Sequence, residues 1–159
     1  PAPGHISADI GRNRGYVLCK PGVEGPLSVI AYGAVVFDGE PAYDAIDGQW
    51  LTDEPYVLVH RIAVADGERG RGVAAEQAMG CACSTVWDTL VLAAMTGVTF
   101  VAAALHGEEM ARERGIGAFR IDTNHDNRPM LRLLERTGFT YCGKVVYRSG
   151  ERLAYEKRI

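Results

Sequence analysis

The order of apolar segments predicts an α/β fold built on a mixed, mostly antiparallel sheet. Strand-like runs come first as meanders, and from the middle of the chain onward strand-like and helix-like runs alternate, which is how a sheet acquires flanking helices. Composition agrees. Of 159 residues, 47% are apolar and 23% charged, so the chain can bury a substantial core and is expected to form one domain over residues 1–159.

The opening stretch is rich in Gly and Pro and holds one short helical candidate, Ser7–Asn13. "GYVLCK" (15–20) and "LSVIAYGAVVF" (27–37) read as strands separated by the turn "PGVEGP". Residues 38–55 form a loop-rich connection, and "YVLVHRIAV" (56–64) is a strand by its apolar run. A helix is expected to begin near Gly72. Later, "AFRIDT" (118–123) reads as a strand, and Asn127–Thr137 as a helix stopped by Gly138. "FTYCGKVVYR" (139–148) and "RLAYEKR" (152–158) form a hairpin across "SGE".

The segment Thr89–Gly107 holds nineteen residues without Asp, Glu, Lys or Arg, long enough to raise a membrane span. Its threonines, its glycines and its acidic flanks (Asp88, Glu108, Glu109) disfavour that reading. A buried helix, or a helix followed by the strand-like "GVTFV", fits better; homodimerisation is one use such an apolar face could have.

Charge and cysteines bound the function. A net charge of −3 argues against general nucleic-acid binding. Cys19, Cys81, Cys83 and Cys142 are too few and scattered for a disulfide framework and lack metal-ligand spacing, so no metal is expected and reduced thiols in a cytoplasmic protein are the default.

The chemistry concentrates at one strand-to-helix junction. After "RIAV" comes a Gly-rich turn carrying Arg69 and Arg71, and helix-forming residues come at once after it. Backbone N–H groups at a helix start have no internal partners and carry the positive end of the dipole. Glycines let an anion approach them closely, so the junction is a candidate diphosphate cradle. A flexible turn with solvated arginines is the plainer reading. A Walker loop is excluded by the missing lysine. Gly70-Arg71-Gly72-Val73-Ala74-Ala75 fits GxGxxA formally, but five residues separate it from the strand, where a dinucleotide fold turns immediately.

Arg69-Gly70-Arg71-Gly72-Val73-Ala74 matches Q/R-x-x-G-x-G/A, and downstream "IDTNHDNRPMLRLLERTGF" (121–139) has the strand-loop-helix form ending in Gly-Phe. Together, over about residues 15–80 and 108–157, these segments resemble the GNAT superfamily of acyl-CoA-dependent N-acyltransferases. "GEPAYDAIDGQWLTDEPYVLVHRIAV" is further similar to a bacterial subgroup of mostly unassigned substrate. The resemblance implies a sheet splayed between two parallel strands, those at 56–64 and 118–123, with acetyl-CoA as the cofactor in the gap. It implies that main-chain groups of Ile62 and Val64 pair with the pantetheine arm. Amides of Arg69, Gly70, Arg71, Gly72, Val73 and Ala74 would hold the diphosphate, and Asn127 would lie near the pantetheine. It implies direct attack by an amine on the thioester in a ternary complex, with no covalent nucleophile on the enzyme.

That reaction needs a base, because an ammonium has no lone pair. His60 is the first choice: it precedes Ile62 by two residues on a strand, and imidazole titrates near neutrality. A structural histidine is the equal alternative. Glu54, just before the strand, could act through water. For the departing thiolate, many family members carry a Tyr four residues before the Gly of Gly-Phe; here that position is Leu134. Tyr141 is the nearest substitute and Tyr147 another. Two further departures are a shortened N-terminal strand and helix region and the apolar insertion after Gln77.

Between Pro21 and His60 there are seven acids and no Lys or Arg. This stretch would edge the acceptor side and favour a cationic amine, of a small molecule or a peptide; a solvated acidic loop is the plainer reading. Tyr32, Tyr43, Trp50 and Tyr56 either line a pocket or seal the sheet. The leading expectation is an N-acetyltransferase. The alternative is a non-catalytic acyl-CoA-binding module.

Overall fold

A computed structural model describes residues 4–22, 25–65 and 98–159. The elements, in chain order, are α1 (His5–Gly11), β1 (Gly15–Gly22), β2 (Gly25–Val36), a 3₁₀ helix (Pro41–Ala45), β3 (Asp47–Gly48), β4 (Tyr56–Val64), α2 (Val98–Glu113), β5 (Ala118–Thr123), α3 (Arg128–Arg136), β6 (Thr140–Tyr147) and β7 (Gly150–Arg158). The strands form one sheet in the order β1-β2-β4-β5-β7-β6-β3. The strands β4 and β5 run parallel, and their ladder is three pairs long: Tyr56–Ala118, Val57–Phe119 and Leu58–Arg120. The mixed, mostly antiparallel sheet and its flanking helices are those expected from the sequence.

The chain divides into two compact units. The first takes described residues 4–22, 25–35, 60–65 and 98–104. Here β1 and β2 pair antiparallel from Gly15–Ala34 to Gly22–Gly25, with irregular steps after Leu18 and Lys20. The N–H of Ala65 donates to the carbonyl of Ile30 at 2.9 Å, closing the end of β4 onto β2. The helix α1 begins two residues earlier than the sequence suggests and stops at Gly11.

The second unit takes residues 36–59 and 105–159. Its strand β5 is buried at nearly every position, and β7 pairs with it from Ala118–Arg158 to Thr123–Leu153. The helix α3 is started by Asn127, whose Oδ1 accepts from the N–H of Met130, and by the proline just inside the helix. It ends where the Thr137 hydroxyl donates to the carbonyl of Leu133 and Gly138 turns to φ +84°. Its inward residue, Leu134, is fully buried, and Phe119 meets Phe139 edge-on with centroids 5.2 Å apart.

Residues 38–55 are more organised than a loop-rich reading suggests. Tyr43 is buried and packs against Trp50 and Tyr56, with centroids 5.0 and 5.8 Å away. The guanidinium of Arg120 lies 4.3 Å from the Trp50 ring and 4.2 Å from the Tyr56 ring. Glu156, opposite Arg120 across the β5–β7 ladder, is fully buried and accepts from the Leu51 N–H and the Thr52 hydroxyl, each at 2.6 Å. Asp122 accepts from the hydroxyls of Tyr43 and Tyr147 at 2.9 Å each and from Arg152 at 3.0 Å. These aromatics therefore seal the sheet. The two-residue β3 crosses β6 at Gly48 and Gly143, which face each other at φ +145° and +143°. A Cβ on Gly48 would fall onto the Cys142 carbonyl, and one on Gly143 onto the Asp47 carbonyl.

One further sequence expectation changes. "GVTFV" reads as strand-like, but α2 is helical from Val98, because the helical run after it extends back through it. Most of Thr89–Gly107 lies outside the described residues; among these, no helix is long and apolar enough to cross a membrane. Cys19 and Cys142 are buried thiols outside any disulfide, and burial pushes Cys142 up.

The Asp122 side chain is only 1% exposed, so removing it strands three donors. Asp122→Ala is expected to destabilise the protein by about 3 kcal/mol, and Tyr147→Phe by about 1 kcal/mol. Urea melts check both; equal midpoints for wild type and Asp122→Ala would refute the anchoring role.

Candidate active site

The strand β4 carries the break on which the candidate site is built. Extended residues alternate their side chains between two faces, but Arg61 has φ +57° in the middle of β4. For a residue with a Cβ this left-handed step costs roughly 1–2 kcal/mol. The alternation that would set His60 and Ile62 on one face therefore does not run unbroken through this point. His60, Arg61 and Ile62 are all half-buried.

Arg61 is held by a residue from α1. Its Nη1 donates to both oxygens of Asp9, at 3.0 and 3.2 Å. Asp9 is 4% exposed and also accepts from the Tyr32 hydroxyl on β2 at 2.9 Å. Burial, then the hydrogen bond and the charge of Asp9, push the Tyr32 phenol far up, so it stays a donor. Sequence reasoning missed Asp9 and the bend at Arg61. No glycine or asparagine marks the left-handed residue, and a lone acid in a seven-residue helix carries no signal of its own.

Asn127 uses its side chain locally: besides capping α3, its Nδ2 donates to the Thr123 hydroxyl at the end of β5, 3.2 Å away. Ile62 and Val64 lie in the last part of β4, past its ladder with β5. Glu54 is exposed before the first residue of β4, beside an open depression of about 540 Å³ lined by Thr52, Asp53, Gly117 and Arg158. Arg69, Gly70, Arg71, Gly72, Val73 and Ala74 lie outside the described residues.

Tyr141 is half-exposed on β6, its ring edge-on to Tyr155 at 5.5 Å. The hydroxyl of Tyr147 is committed to Asp122, and burial together with that carboxylate raises its pKa far out of the useful range for a proton donor. Of the seven acids, Glu24 lies outside the described residues and Glu40 caps the 3₁₀ helix, while Asp38, Asp44, Asp47, Asp53 and Glu54 are exposed. Among the described residues, no group of His, Cys, Asp and Glu could hold a metal ion.

No family model and no curated protein matches the chain. Solved structures do. An acetyltransferase of the GNAT family from Streptococcus agalactiae 2603 is 30% identical, with a TM-score of 0.61 over 97% of this chain and 70% of that one. An IAA acetyltransferase from Bacillus cereus ATCC 14579 shares the fold at 13% identity, with a TM-score of 0.52 over 99% and 87% of the two chains. So does a chain of the NatC complex bound to Gag peptide and CoA, at 14% identity and a TM-score of 0.56 over 91% and 70%. With a relative of 30% identity matched along nearly all of this chain, and with the short parallel ladder and interrupted β4 in place, the chain belongs to the GNAT family of acetyltransferases.

Proposed function

We propose that this protein transfers the acetyl group of acetyl-CoA to a primary amine of a small molecule or peptide by direct attack. The observation that carries the reading is the form of β4: it pairs with β5 over three residues only, then bends at Arg61 between His60 and Ile62. A bend of that kind leaves main-chain groups available to something other than the sheet. Bound acetyl-CoA supplies an activated thioester and a thiolate leaving group.

The chain's own groups would divide the remaining work. Main-chain groups at Ile62 and Val64 grip the pantetheine arm as an added strand would. Amides of Arg69 through Ala74 hold the diphosphate, aided by the two arginine charges. A β4 N–H next to the bend receives the thioester oxygen as it gains charge. His60 takes the proton from the attacking amine, and Tyr141 returns one to the thiolate. Exposed acids among residues 38–54 raise the local concentration of cationic amines.

One observation favours a second reading, a non-catalytic acyl-CoA-binding module. Leu134 occupies the expected tyrosine position and is fully buried, and Tyr147 is tied to Asp122. Consumption of acetyl-CoA across a panel of polyamines, amino sugars and peptides separates enzyme from binder; turnover of none would leave the module.

Gly72→Trp is expected to weaken acetyl-CoA binding at least about 100-fold by titration calorimetry. Micromolar binding retained by that variant would count against the cradle. His60→Ala is expected to lower kcat about 100-fold while leaving the acetyl-CoA Kd unchanged. A kcat equal to wild type would remove His60 from proton transfer.

A further inference from the structure

The left-handed residue in β4 is not explained by its own chemistry. Arginine gains nothing from φ +57°, and such a conformation persists only where surrounding contacts impose it. Three contacts do so here. The guanidinium is held by both oxygens of Asp9. The Asp9 carboxylate is itself fixed by the Tyr32 hydroxyl. Its backbone is fixed too, because the Asp9 carbonyl accepts from the N–H of Arg14 at 2.8 Å while the Arg14 carbonyl accepts from the N–H of Val35 at 2.9 Å. Gly15 makes room for this: a Cβ there would sit 3.2 Å from the Tyr32 ring and hydroxyl.

Burial makes the arrangement stiff. The Asp9 side chain is only 5% exposed, so water cannot readily replace the donors at its carboxylate, while that of Arg61 is 30% exposed. Asp9 carries one charge and Arg61 the opposite one, and a single guanidinium nitrogen, Nη1, reaches both carboxylate oxygens, a charge-assisted contact. A surface arginine on a strand would otherwise relax to the extended region.

We propose that Asp9 is a positioning residue for acetyl transfer: by holding the Arg61 side chain it keeps β4 bent between His60 and Ile62, so that the main chain there stays aimed at the thioester. The proposal rests on the acetyltransferase reading above. Asp9 touches neither substrate nor cofactor in this scheme; it acts through Arg61. The N-terminal helix α1 thereby becomes part of the working site although it contributes no reacting group.

A double-mutant cycle tests it, with kcat for acetyl transfer as one readout and the crystallographic φ of residue 61 as the other. Glycine adopts positive φ without a tether, whereas alanine keeps the Cβ penalty. Arg61→Gly is therefore expected to retain more kcat than Arg61→Ala, although both lose the guanidinium. Asp9→Ala is expected to lower kcat about tenfold or more in the wild-type background, and less than about twofold in the Arg61→Gly background. In the crystal structure of Asp9→Ala, Arg61 is expected to leave the positive-φ region. Equal losses in both backgrounds, as a purely structural support for α1 would give, overturn the proposal; so does a positive φ at Arg61 without Asp9. Should Asp9→Ala not fold, Asp9→Asn and Tyr32→Phe enter the same cycle with the same two readouts. Should the wild-type protein acetylate no amine of the panel, the functional reading fails, and the φ of Arg61 in the Asp9 variant still decides whether Asp9 holds the bend.

Discussion

A carboxylate cannot be taken out of water without donors to replace it, and this requirement organises the protein. Asp9, Asp122 and Glu156 are each buried or nearly so, and each draws in parts of the chain far away in sequence. Glu156 collects Leu51 and Thr52 from more than a hundred residues upstream. Asp122 collects Tyr43, Tyr147 and Arg152. Asp9 collects Tyr32 and Arg61. Each carboxylate turns a stretch that could have stayed loose into a fixed wall.

The same logic relates fold to chemistry. The proposed reaction would use a strand that stops serving the sheet partway along, yet a strand with idle main-chain groups would ordinarily find other partners. In β4 the ladder with β5 is short, and the left-handed residue re-aims the last part of the strand. The cost of that conformation is offset by an ion pair with a partly exposed guanidinium, and the cost of burying its carboxylate is offset in turn by a phenol. A different kind of anchoring serves the second unit, where Lys157 reaches Glu108 at 2.7 Å and Arg112 reaches the same carboxylate at 3.0 Å, tying α2 to the last strand.

Strands β4 and β5 were legible in the sequence almost to the residue, because each is rich in apolar residues and bounded by loop-forming residues on either side. The helix α3 was equally plain, since its cap, its proline and its terminal glycine are all local signals. The family was readable from a hexapeptide and the Gly-Phe segment in their order along the chain. What could not be read depends on contacts between distant residues. Nothing near Arg61 announces positive φ; the cause lies in α1. Nothing in residues 38–55 announces a buried tyrosine, because the carboxylate that receives it sits on β5. The aromatics left open between lining a pocket and closing the sheet were decided by Arg120 and Asp122, neither of which is adjacent to them in sequence.

The facing glycines at the β3–β6 crossing carry a consequence for anyone wishing to alter this protein. Asp44, Asp47, Asp53 and Glu54 are exposed, so their side chains can be exchanged at little expense in stability. Gly48 and Gly143 accept no replacement, because even a methyl group would land on a carbonyl of the opposing strand. A mutagenesis library that randomises the surface between Asp44 and Glu54 should hold the Gly48 codon constant, and one on β6 the Gly143 codon; diversity there would be spent on molecules that never assemble.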